Sequence, residues 1–246
     1  MTHIIHHKTK PQVSVVIPAY NEEKLLPVCL QNLRRQDFKG SWEIIVVNGP
    51  STDKTQEIAL SLADKVVRVS RLGIGLARRK GCQVAKASII AVTDADIFVP
   101  PNWLSRITEY FRTYPEVMAI SGPYIFTNNM FLNILSLIVR PIAFVINLLT
   151  TGVPPMSGNN SAFRKKAYDL AGGYDSKITA LEDIDLAMRL RKIGKIAYLP
   201  ALIVKTTDRR FRGRILSHII ESLIPAFMNR LRRKKDHTIN LWPTIR

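Results

Sequence analysis

Asp94 and Asp96 flank Ala95 directly after the apolar run Ile89-Ile90-Ala91-Val92. Two carboxylates at the end of a buried strand offer hard oxygen ligands for Mg2+ or Mn2+, and such an ion can bridge the oxygens of a diphosphate. A departing diphosphate needs that neutralisation, because negative charge builds on it as its bond breaks. A turn can also set two aspartates side by side, so the surrounding elements have to supply the context.

Those elements alternate. Val13 to Ile17 is a β-branched run ended by Pro18 and reads as a strand buried on both faces, followed by a helical stretch from Glu22 to Gln36. Strands are then predicted at Glu43–Val47, Val66–Val69 and Ser88–Thr93, with helices at Thr52–Ala63 and Ile74–Lys86 between them. This order predicts an α/β fold, an open, mostly parallel sheet flanked by helices. Ligands of such sheets lie beyond the carboxyl ends of the strands, which points to the loops after Ile17, Val47 and Thr93. Past Asp96 the pattern changes to a helix at Asn102–Tyr114, a strand at Val117–Ser121 and an apolar stretch from Phe131 to Thr150.

The ordered set Val13-Ser-Val-Val-Ile-Pro-Ala-Tyr-Asn-Glu-Glu23, Ser51-Thr52-Asp53, Asp94-Ala95-Asp96 and Glu182-Asp183 resembles the family 2 glycosyltransferases. The resemblance runs from about Val13 to Val204 and implies the GT-A fold, a nucleotide-binding half joined to an acceptor-binding half. It implies a nucleotide-sugar donor, UDP- or GDP-linked, with Mg2+ or Mn2+ held by Asp96 and Asp94. Pro18, Ala19, Tyr20 and Glu22 match the first nucleotide-binding loop, and Ala95 lies in the donor site beside Asp94. Where the family usually has aspartates, the second loop here reads Asn48-Gly49-Pro50, leaving Asn48 to pair with the base and Asp53 as a partner or helix cap. Arg78 matches an arginine expected to stabilise the nucleotide phosphates, whereas Arg79 and Lys80 read as a solvated basic face.

Asp183 matches the family's general base, which takes the acceptor hydroxyl's proton as it attacks the anomeric carbon. Glu182, Asn159 and Asn160 are candidate acceptor-side residues. No Gln-x-x-Arg-Trp motif follows, which points to transfer of a single sugar. In its place, Thr207-Asp208-Arg209-Arg210 sets Arg209 and Arg210 as candidate diphosphate or lipid-phosphate contacts.

The layout expected is a tail at 1–12, a catalytic domain at 13–206 divided near 100, with an apolar insertion at 130–151, and a basic amphipathic segment at 207–246. The net charge of +17 calls for an anionic partner. From Lys205 to Lys235 the basic residues collect beside an apolar helical stripe, Ile215 to Leu231, rather than among interleaved aromatics, which favours an anionic membrane surface over nucleic acid. Cys29 and Cys82 have no ligand or disulfide spacing and fit a reduced compartment. The place expected is therefore the cytoplasmic face of a membrane, peripheral or monotopic, with a lipid-linked or glycan acceptor.

The stretch 131–150 is long enough to cross a bilayer, yet one crossing would put Asp94 and Asp96 on one side and Asp183 on the other. A fold at Pro141 would leave halves of about 15 Å, too short to cross. Its polar residues Asn133, Ser136, Arg140 and Asn147 share one helical face. The stretch therefore lies in the membrane interface with that stripe wet or packed, or it forms a buried lid.

Overall fold

The computed structural model describes residues 3–4, 10–178 and 181–209. Arg210 and the expected amphipathic stripe at 215–231 lie outside them.

The main sheet runs β1 (His3–Ile4), β4 (Lys65–Arg68), β3 (Trp42–Asn48), β2 (Val13–Ala19), β5 (Ile89–Thr93), β9 (Asn160–Arg164), β7 (Val117–Ser121), β10 (Lys195–Tyr198). Strands β4, β3, β2 and β5 are mutually parallel, as are β7 and β10. Strand β9 enters antiparallel between β5 and β7. A smaller sheet joins β6 (Ile97–Phe98), β11 (Val204–Thr206) and β8 (Tyr124–Phe126). The helices are α1 (Leu26–Arg34), α2 (Thr55–Leu62), α3 (Ile74–Val84), α4 (Trp103–Thr113), α5 (Met130–Thr151), α6 (Lys165–Leu170) and α7 (Glu182–Leu190).

Every residue of β2 is buried, because helices cover both faces of the sheet. On one face Leu26 and Leu30 of α1 pack with Trp103 and Ile107 of α4. On the other, Ala77 and Cys82 of α3 pack with Leu186 and Leu190 of α7 and with Tyr168 and Tyr174. The antiparallel β9 sets Asn160 opposite Thr93 and Ser161 opposite Ser121. The start of β9 therefore meets the carboxyl ends of β5 and β7, and the second half of the chain is delivered to the edge that carries Asp94.

The expected elements are present with shifted ends. Helix α1 starts at Leu26 rather than Glu22, with proline in its first turn. The residues before it instead join the loop that faces β3. Helix α5 is unbroken through Pro141, in place of a fold there. Contacts along its length hold it to the domain. Asn133 exchanges two hydrogen bonds with the Phe126 backbone, each of 2.8 Å. Arg140 lies over the Tyr124 ring, Phe144 meets Tyr198 edge-on, and Asn147 Nδ2 donates to the Val153 carbonyl at 2.8 Å. The polar stripe is therefore packed inward, while the opposite face is exposed, so α5 is not a buried lid.

Helix α3 approaches the sheet closely at Gly81, where an added Cβ would stand 2.3 Å from Val16 Cγ1 and 2.8 Å from Val47 Cγ2. Neither neighbour can yield, since both lie in fully buried strands. Gly81→Ala is expected to cost about 1–3 kcal/mol through overpacking, read as a lowered denaturant midpoint with an unchanged slope.

Candidate active site

The loop after β2 and the loop after β3 are stapled to each other. Asn21, in the left-handed region at φ 53°, accepts from Thr52 N at 2.9 Å and donates its own N–H to Ser51 Oγ. Glu22 N donates to Thr55 Oγ1 at 2.7 Å, and Glu23 N to Asp53 Oδ2 at 3.1 Å. The other Asp53 oxygen receives both Thr55 N and Thr55 Oγ1. Burial pushes the Asp53 carboxyl up, but the Thr55 and Glu23 hydrogen bonds outweigh it and hold the group below its ordinary range. Asp53 thus staples the first loop to the start of α2.

Asn48 is likewise engaged. Its Nδ2 donates to Gln56 Oε1 at 2.9 Å and its Oδ1 accepts from Ser51 Oγ at 2.7 Å. Asn48 thus shapes the loop with one amide hydrogen and one lone pair, half of what its amide offers. Pro18 and Ala19 are buried, and Tyr20 is half-exposed at the rim. The end of the described chain crosses to this loop, where Arg209 Nη2 reaches Glu22 Oε1 at 2.5 Å.

Beyond β5 the chain turns sharply, with Ile97 N donating to the Asp94 carbonyl at 3.2 Å. Asp94, Ala95 and Asp96 are all buried in that turn. Cys29 of α1 lies beneath them; burial first, then the charges of Asp96, Asp94 and Glu22, push its thiol well above the ordinary range. These acids thus share one small region.

Arg78 is the centre of the site. It is only 4% exposed, yet it carries a full charge into the interior. Its Nη2 donates to Asp94 Oδ1 at 2.9 Å. Its Nη1 donates to Glu182 Oε1 and lies 3.1 Å from both oxygens of Asp183. Burial alone would lower its proton affinity, but Asp183, Asp94 and Glu182 together raise it. Arg78 therefore holds three carboxylates and ties the two halves of the domain together. Gly158 makes this possible, because a Cβ there would fall 2.0 Å from Arg78 Cζ.

Asp183 also accepts from Gly158 N at 2.8 Å. Burial raises its proton affinity, Arg78 and the Gly158 N–H pull it back, and Asp94 adds to the rise, leaving a net upward shift. Burial first, and then the nearby Asp183 charge, raise the proton affinity of the Tyr174 phenol. Glu182 is pushed from 4.5 to about 7, by burial and then by Asp183, against the pull of Arg78. Both acids open α7 just after Leu181, whose φ of 64° turns the chain into the helix.

Two acceptor-side expectations part company. Asn159 is half-exposed beside Gly158, with Oδ1 held by Ser157 Oγ at 2.7 Å. Asn160 points into the core, where it accepts from Trp103 Nε1 and donates to the Pro123 and Leu202 carbonyls. Its amide is fully used in joining β9 to α4, so it is not an acceptor contact. Arg79 is not a free surface charge either, since its Nη1 donates to the carbonyls of Gly172 and Tyr174; Lys80 is exposed as expected. The residues that motif reading missed are Gly158, Tyr174 and the stapling residues Asn21 and Thr55. Nothing in sequence shows what Gly158 and Tyr174 face.

The donor set suits a hard divalent cation. Asp94 and Asp96 supply carboxylate oxygens at the end of β5, and Mg2+ commonly takes one or two carboxylates, completing its shell with water and substrate phosphates. The charge balance agrees, because one guanidinium faces three acids and Glu182 retains its proton up to about pH 7. Among the described residues no three acidic, histidine or cysteine side chains form a ready cage, so water and phosphate oxygens would have to complete it.

The Glu182 shift has a measurable sign. The unfolded carboxyl releases its proton near 4.5 and the folded one near 7, so the native state binds the extra proton between those values. Stability is therefore expected to fall as pH rises through that window, by up to about 1.4 kcal/mol per pH unit. Urea titrations of Glu182→Gln should lose this slope, and an unchanged slope would remove Glu182 as its source.

The sequence profile described as "Glycosyl transferase family 2" matches residues 14–170. A β-monoglucosyldiacylglycerol synthase of Synechocystis is 28% identical over 208 residues, covering 77% of this chain and 43% of the relative. A dolichyl-phosphate β-glucosyltransferase of Trichomonas vaginalis is 36% identical over 102 residues, covering 35% and 31%. Each alignment takes in less than half of the relative's own length. In fold, the chain matches a mannosyltransferase of Pyrobaculum calidifontis, solved with GDP-Man and Mn2+, at a TM-score of 0.70 and 22% identity over 95% of this chain and 67% of that one. With the profile covering more than half of the residues and the GT-A fold shared along nearly all of the chain, this protein belongs to glycosyl transferase family 2.

Proposed function

We propose that the protein transfers a single sugar, with inversion, from a UDP- or GDP-linked donor to a hydroxyl of a lipid-linked or glycan acceptor at the cytoplasmic face of a membrane. The observation that carries this reading is the convergence of Asp94 and Asp183 on the Arg78 guanidinium. That convergence sets a candidate cation ligand and a candidate base on either side of one point.

Mg2+ or Mn2+, held by Asp94 and Asp96, would take up the charge that develops on the departing diphosphate. The chain's own residues do the rest. Asp183 receives the acceptor's proton as the hydroxyl oxygen bonds to the anomeric carbon and the bond to the diphosphate breaks. Arg78 and the Gly158 N–H favour the ionised form of Asp183, while burial keeps its proton affinity high enough to accept. Arg209, paired with Glu22 at the rim, would trade that carboxylate for an incoming phosphate oxygen. Two free, buried cysteines are consistent with a reducing compartment.

The relatives named for dolichyl phosphate and for a glucosyldiacylglycerol point to lipid-borne acceptors of two kinds. A phosphate acceptor is already ionised and needs no base, so a carboxylate at Asp183 favours the hydroxyl. Asp183→Asn is expected to lower kcat for a hydroxyl acceptor by about a hundredfold or more, with donor affinity retained. Equal loss with a phosphate acceptor would contradict the role of base. Asp96→Asn should raise the Mn2+ concentration needed for half-maximal turnover; an unshifted Mn2+ curve would remove Asp96 from the cation site. NMR of the product fixes the anomer.

A further inference from the structure

Helix α5 packs its polar stripe against the domain and leaves an apolar face uncovered. The residues it buries are Leu132, Ser136, Val139 and Asn147, two of them polar, while Phe131, Ile134, Leu137, Ile138, Val145 and Leu149 stand exposed, Leu137 at 75% and Leu149 at 80%. A surface helix of a water-soluble domain shows the opposite arrangement. The helix has 22 residues, 18 of which in succession average a hydropathy of 2.0, and spans about 33 Å, so the uncovered apolar strip is long and continuous.

Its ends exclude a crossing. Strand β8, just before α5, belongs to the small sheet, and Val153 and Met156, just after it, belong to the core under α3 and α7. Arg140 on Tyr124, Phe144 on Tyr198 and Asn147 on Val153 keep the helix against the domain between those points. A helix held along its length in this way can meet a bilayer only lying flat.

We infer that the outward face of α5 is an in-plane membrane-docking surface that sinks into the acyl boundary of an anionic leaflet. Charge selects this occupant. A second copy would bring another +17 against the first, whereas anionic lipid is attracted by it. The outward strip itself carries no charged side chain, since the one charged residue of α5, Arg140, is turned onto Tyr124. The chain also leaves the described structure beside the start of α5, where Asn129 Nδ2 donates to Asp208 Oδ2 at 3.1 Å. Residues 210–246, which follow, hold nine Lys and Arg against Glu221 and Asp236, a composition suited to the same leaflet. Through Asn129, Asp208 and Arg209 the start of α5 is linked to Glu22 in the first loop. A leaflet under α5 would therefore bring lipid headgroups close to the site.

The surface can be tested without any donor, so its failure is separable from failure of the transfer reading. In the full chain, Leu137→Cys is labelled with an environment-sensitive fluorophore, which is selective because Cys29 and Cys82 are fully buried. On adding phosphatidylcholine–phosphatidylglycerol vesicles, the expected result is a blue shift with quenching by chain-doxyl lipids, at every protein concentration. Ile134→Glu/Leu137→Glu/Val145→Glu should partition at least about tenfold more weakly, with melting temperature unchanged. The proposal is overturned if the probe is already blue-shifted in buffer and ignores vesicles, which would mean a cover by residues 210–246, or by a second copy if dilution reverses it. It is equally overturned if the probe stays exposed to water, or if the triple variant binds as the parent does.

Discussion

A buried guanidinium surrounded by acids is costly to assemble, because each ion gives up its hydration and recovers it only through well-placed partners. Arg78 recovers it from Asp94 on one side and from Glu182 and Asp183 on the other. These partners lie 16, 104 and 105 residues away along the chain. Most other features of the site exist to permit this meeting. Gly81 lets α3 settle low enough on the sheet, Gly158 leaves room for the guanidinium, and β9 returns the chain to the edge of β5. Loss of Arg78 would leave buried acids facing one another without a counter-ion, which is why the same cluster governs both stability and the poise of the candidate base.

The imbalance already present is informative. Three acids against one arginine leave excess negative charge, and the structure partly relieves it by keeping Glu182 protonated up to about pH 7. A divalent cation beside Asp94 and Asp96 would relieve it in another way. Catalysis and stability are thus linked through one electrostatic account, with the donor complex expected to be the better balanced state.

Much of the fold was legible because it rests on local patterns. Short β-branched runs ended by turn residues mark β2, β3, β4 and β5, and their alternation with helices predicts the parallel sheet. Asp94 and Asp96 were legible for the same reason, standing at the end of one such run. Less legible are residue types that serve two purposes. Asn48, Asp53 and Asn160 have the chemistry to bind a ligand, and the same side chains also bind the chain's own backbone and side chains. That second use depends on the positions of Gln56, Thr55 and Trp103, which sequence does not show. Likewise, the polar and apolar stripes of α5 are evident in sequence, but which one faces the domain depends on Phe126, Tyr124 and Val153 being there to receive the polar one.

The joining of the two halves through Arg78 is tested most directly by a double-mutant cycle of Arg78→Met and Asp183→Asn, measured as unfolding free energy in metal-free buffer. A coupling energy above about 1 kcal/mol is the predicted result, since the two charges are in direct contact and buried. Additive effects of the two substitutions would show that Arg78 and Asp183 do not depend on each other, and the account of the site built on that contact would be wrong.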